Sequence, residues 1–198
     1  MNTESEALAV LELLKMLAIE PRTGVLMTLL IAAALIDLRT NRIPNLLTLI
    51  GIVFAILYNG VYPVYHDQNG WLVALGGLSV GFIIFIPLYV LKVMGAGDVK
   101  LVATVGAFLG PWPTIWAILW SCVAGGIIAL ALLLWTGNAR RAIVNIISLI
   151  HHNLQMAPMG HLDFTVPSSV STGKLPYAVA IAAGTISFLV CRQLGFVN

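Results

Sequence analysis

Long apolar runs and short polar breaks alternate along the chain, and each run is long enough to predict a helix. The first covers residues 22–38 and closes on Asp37. Pro44 then breaks the chain and holds Ile43 extended. Asn45 is placed to cap a second helix over 46–62. A polar turn at 65–70 separates it from a third run at 71–91, which stops just before Lys92. The stretch Val99 to Gly110 is apolar but ends quickly at Pro111 and Pro113. A helix of about 12 residues is about 18 Å long, well short of a hydrocarbon core of ~30 Å. It predicts a thinned or water-penetrated part of a bilayer. A fifth run over 114–135 and a last one over 175–194 complete the series. The pattern predicts an all-α polytopic membrane bundle with about six transmembrane helices, accompanied by interfacial amphipathic helices.

Two segments fit the surface of a membrane better than its interior. Residues 7–19 are too short and too charged to span, with Glu12 and Lys15 marking a polar side, so residues 1–21 predict an N-terminal interfacial segment. Within 137–174, Ile143, Ile146, Ile147, Ile150 and Leu154 recur at helical spacing after Arg140 and Arg141, predicting an amphipathic surface helix. Residues 157–174 read as loop. No internal repeat stands out, and residues 1–198 predict one membrane-embedded domain.

Composition narrows the class. The chain has 198 residues, 60% hydrophobic and 9% charged, with a mean hydropathy of +0.98, which excludes an ordinary soluble domain. A net charge of +2 is too small to point to nucleic acid. Cys122 and Cys191 both lie in apolar runs without a CxxC pair and read as small buried hydrophobes. Met1 to Ala7 carries no Lys or Arg, so no cleaved secretory leader is expected. If the ends bearing Asp37 and Asp98 face the cytoplasm, Arg39, Arg42, Lys92, Lys100, Arg140, Arg141 and Lys174 share that side, leaving Lys15, Arg22 and Arg192 opposite. Basic residues favour the cytoplasmic side, so both acids are expected on the cytoplasmic face.

A carboxylate at a membrane boundary is costly and needs a reason to be there. Asp98 lies in Gly95-Ala96-Gly97-Asp98, and Asp37 opens Asp37-Leu38-Arg39-Thr40-Asn41-Arg42-Ile43-Pro44-Asn45. Peptide hydrolysis by two carboxylates needs one ionised group to activate water and one protonated group to polarise the scissile carbonyl. Two like charges held close together do not both ionise easily, so the proton belongs to the pair. Gly95 and Gly97 lack Cβ atoms and admit a neighbouring helix or an extended substrate near the backbone. Blander readings stand beside this one. A G-x-G-D tetrapeptide alone is weak, Asp37 with Arg39 and Arg42 could be a salt-bridged helix end, and Lys100 could be a topology marker. His151, His152, His161 and Asp163 lack the usual metal-ligand spacing, so neither a metal site nor a cofactor is expected. The tryptophans read as interfacial anchors or packing, and Gly76-Gly77 and Gly125-Gly126 as sites of close helix approach.

Together with Lys174-Leu175-Pro176-Tyr177, these two stretches make the chain resemble the type IV prepilin peptidases, membrane aspartyl proteases with a G-x-G-D motif. The resemblance runs from about residue 24 to the end. It implies a catalytic dyad of Asp37 and Asp98, with Gly95, Gly97, Lys100, Arg42, Pro44 and Asn45 binding substrate or shaping the site. It further implies removal of a short basic leader from prepilins and pseudopilins in the bacterial inner membrane, with lipids and pilus-assembly machinery as further partners. Larger members carry a cytoplasmic insert with paired cysteines and methylate the new N-terminus. This chain has neither, and is more similar to the short peptidases of tight-adherence (Flp) pilus systems, which argues against N-methylation. Two other functions remain open on the sequence: an ion- or proton-coupled transporter, and a non-catalytic pilus-assembly subunit.

Overall fold

A computed structural model describes residues 21–63, 68–91, 93–136 and 177–196. The interfacial helices expected in 1–21 and 137–174, the histidine cluster and Lys92 therefore lie outside the described residues, apart from Pro21. Six helices follow in order: α1 (Pro21–Thr40), α2 (Asn45–Val61), α3 (Gly70–Val90), α4 (Ala96–Leu109), α5 (Pro111–Thr136) and α6 (Tyr177–Gln193). The described chain is all-α, as the apolar runs predict. The expected count of about six spans is not confirmed by helix length among the described residues. Among the described residues, α1, α3 and α5 are the helices long and apolar enough to cross a membrane. The shorter apolar helices α2 and α6 have 17 residues each, or about 26 Å.

Local chemistry explains the helix boundaries. α1 ends at Asn41, which adopts a left-handed backbone with φ 50° while its N–H donates to the Asp37 carbonyl, a conformation that asparagine tolerates well. Pro44, extended at φ −62° and ψ 130°, is the N-cap of α2, so Asn45 is the first helical residue and not the cap. Asn69 caps α3 with its side chain, accepting from the Trp71 N–H. Pro111 and Pro113 belong to the start of α5, where a missing N–H costs nothing. Gly110, at φ 84°, makes the turn between α4 and α5.

The core sits around α4. From Asp98 to Leu109 every residue of this helix except Lys100 is buried. α3 packs most extensively against it, and the approach depends on missing side chains. A Cβ on Gly77 would come 2.0 Å from the Gly106 carbonyl oxygen, and one on Gly106 would come 2.1 Å from that of Gly77. On the other side α2 is tied to α4 by interhelical hydrogen bonds. Asn59 Nδ2 donates to the Ala107 carbonyl at 2.7 Å, and Thr104 Oγ1 to that of Thr48 at 3.4 Å. Small-residue contact and side-chain hydrogen bonds are what hold helices together where lipid removes the hydrophobic drive between them. Outward positions such as Leu46, Leu72, Ile83, Val123 and Leu134 are exposed and apolar, a surface suited to lipid. Cys122 is exposed and Cys191 half-exposed, and both are free. They face outward from the bundle, which corrects the expectation of buried positions.

Candidate active site

The up-and-down order brings the end of α1 and the starts of α2, α4 and α6 to one end of the bundle. Asp37, three residues before the end of α1, is 7% exposed, and Asp98, in the first turn of α4, is 8% exposed. Both carboxylates are therefore buried at the same end of the bundle. Asp98 Oδ2 accepts from the Gly95 N–H at 3.0 Å, so the acid reaches back over its own helix start. Asp37 Oδ2 accepts from the Ala178 N–H, in the first turn of α6, at 3.2 Å. Each carboxylate thus lies at a helix N-terminus, where the peptide dipoles favour negative charge. Among the described residues neither acid forms a salt bridge, which sets aside the reading of Asp37 as a helix end paired with Arg39 and Arg42.

The other residues singled out in the sequence separate into three groups. Gly95 is the N-cap of α4, in extended backbone at φ −79°. Gly97 meets the turn between α1 and α2, where an added Cβ would lie 3.1 Å from Ile43 Cβ. Lys100 Nζ donates to Asn45 Oδ1 at 2.9 Å, linking α4 to the start of α2. Lys100 is therefore more than a topology marker, and Asn45 acts through this bond and not as a cap. Pro44 shapes the same turn. Arg42 is exposed, and it is its carbonyl that accepts a hydrogen bond, from Thr40 Oγ1 at 3.0 Å. The structure therefore gathers Gly95, Gly97, Lys100, Pro44 and Asn45 around the turn and helix start that carry the acids, and leaves Arg42 at the surface.

Ala178 was not among the site residues expected from sequence. It contributes only its backbone N–H, to which no side-chain chemistry points. The available signal was Pro176, which marks a helix start, in a stretch that already carried part of the resemblance.

The arrangement offers two buried carboxylates at one end of the bundle, each with one oxygen held by a backbone N–H, beside a turn held to α4 through Ile43 and Asn45. This suits acid–base work on a substrate placed between them. The family model described as the type IV leader peptidase family matches residues 24–130, which include both acids. No curated protein and no solved structure gave a significant match.

Proposed function

Because the chain belongs to the type IV leader peptidase family, we propose that it is a membrane aspartic endopeptidase that removes leader peptides from prepilins and pilin-like proteins, with Asp37 and Asp98 as its catalytic pair. The observation that carries this reading is that two buried carboxylates, from α1 and α4, lie at one end of the bundle, each oriented by a backbone N–H. A peptidase of this family acts on prepilins, whose cut site lies beside an apolar segment. A site at the end of a membrane bundle suits such a substrate.

The chemistry follows from one shared proton. The ionised carboxylate takes a proton from water as the water oxygen bonds to the scissile carbonyl carbon. The protonated carboxyl gives its proton to the carbonyl oxygen. When the tetrahedral intermediate collapses, the C–N bond breaks and the leaving nitrogen takes a proton from the carboxyl that received one from water, while the hydroxyl returns its proton to the other carboxylate. The pair is thereby restored. Gly97 keeps the α4 start close to Ile43, and Lys100–Asn45 holds the α2 start, so the backbone around the pair is fixed before substrate arrives. We place this end at the cytoplasmic face of the inner membrane, since Arg39, Arg42 and Lys100 lie there and basic residues favour that side.

The test is processing of a prepilin by purified protein. Asp37→Asn and Asp98→Asn should each abolish leader removal while the protein stays folded and inserted, because one acid cannot fill both proton roles. Cleavage near the parental rate by either variant would remove that residue from the mechanism.

A further inference from the structure

α3 changes its task along its length. As far as Phe85 it is locked to the bundle, with Gly77 and Gly81 against the backbone of α4 at Gly106 and Val102, and Phe85 buried in the core. Pro87 follows, inside the helix. It has no N–H to give the Ile83 carbonyl, and its ring crowds that carbonyl, so the helix is bent or loosened at this point. Beyond the break the last turn holds the connection to α4. The Leu91 N–H still donates to the Pro87 carbonyl at 2.9 Å, but the Leu88 carbonyl accepts two N–H groups from the connection, Val93 at 2.9 Å and Met94 at 3.4 Å. Leu88 and Met94 also pack on the core.

The residue after Met94 is Gly95. Its N–H donates to Asp98 Oδ2 at 3.0 Å, and its carbonyl accepts from the Asp98 N–H at 3.1 Å. A continuous path of backbone and hydrogen bonds therefore runs from Pro87 through Leu88, Met94 and Gly95 to one of the two acids. An unbroken α3 would carry its last turn along the axis set by the Gly77 and Gly81 contacts. That axis is fixed by close backbone packing and leaves no separate adjustment for the Gly95 N–H. Resting on the peptidase reading above, we infer that Pro87 is a positioning residue: the break it makes in α3 frees the last turn to set the Gly95 N–H on the Asp98 carboxylate.

Pro87→Ala restores the missing N–H. In full-length purified protein its unfolding temperature should stay at or above that of the parent, because the helix gains a bond and a better helix former. On a prepilin, kcat should fall by about tenfold or more with KM within about twofold, since displacing a catalytic group by about 1 Å can cost on the order of a hundredfold. The Gly95 amide proton resonance in detergent should move upfield as its bond to Asp98 lengthens. Lactic acid at position 87 carries the alanine methyl but no N–H, so it should keep both kcat and the Gly95 resonance near those of the parent. Parental kcat or an unmoved Gly95 resonance in Pro87→Ala would overturn the role of Pro87 and leave the dyad standing. So would a loss of activity matched by a loss of fold or stability, or equal losses in the alanine and lactic acid variants. If the parent itself does not cut prepilin, the peptidase reading falls, and the Gly95 resonance still decides whether Pro87 positions Asp98.

Discussion

At Gly97 an absent methyl group sets the fit between the turn after Asp37 and the helix that carries Asp98. A Cβ there would stand 3.1 Å from Ile43 Cβ, with the rest of the Ile43 side chain at 3.5 and 3.6 Å. Gly97→Ala asks Ile43 to yield by a few tenths of an ångström and should cost about tenfold or less in cleavage rate, at the low end of the ~1–3 kcal/mol that overpacking carries. Gly97→Leu has no such room and should remove most activity. Parallel rates of prepilin cleavage check both, and full turnover by the Leu variant would show that close approach at this point is not required. The acids themselves were legible in the sequence, because charge at a membrane boundary is expensive and stands out against apolar neighbours. The N–H of Ala178 was not, since every residue but proline has one and only the fold says which N–H meets Asp37. Asn45 was misread for a similar reason. Its type suits a cap, but Pro44 occupies that position, and the amide is used across helices by Lys100.

Between elements, the crossing of α3 and α4 sets the position of the helix that carries Asp98. Gly77 and Gly106 bring the two backbones together, and Gly81 repeats the contact further along, where a Cβ would lie 2.7 Å from the Val102 carbonyl oxygen. Gly77→Val should force α4 outward, lower stability by about 3 kcal/mol or more, and lose activity with it. Gly126→Ala should do neither, because nothing lies within 4 Å of a Cβ at that position. Thermal unfolding in detergent distinguishes them, and similar behaviour of the two variants would refute the crossing argument. The sequence reading treated Gly76-Gly77 and Gly125-Gly126 alike as packing pairs. The structure separates them, since Gly77 faces a neighbouring backbone and Gly126 faces away. A pattern of small residues marks where helices can approach, but which face meets a partner is decided by the other helices.

For the molecule as a whole, hydropathy made the all-α membrane class plain, but length did not reveal how the bundle fills a bilayer. α4 is buried by its neighbours instead of facing lipid, so its 14 residues were visible as a short apolar run while its central place was not. Orientation can be read directly. In a background lacking Cys122 and Cys191, a cysteine at position 42 should be shielded from an impermeant thiol reagent in intact cells, and one at position 68 should react. Both positions are exposed, at opposite ends of the bundle. Labelling at 42 and protection at 68 would invert the proposed placement. The hydrogen bond between Ala178 and Asp37 joins residues 141 positions apart, and that separation has a meaning in time. During synthesis Asp37 leaves the ribosome long before the amide that orients it has been made. For most of translation α1 and α4 can meet only with one carboxylate unguided. A chain stalled before α6 therefore lacks the arrangement described above, and the completed pair of oriented acids is a property that the polypeptide acquires only with α6.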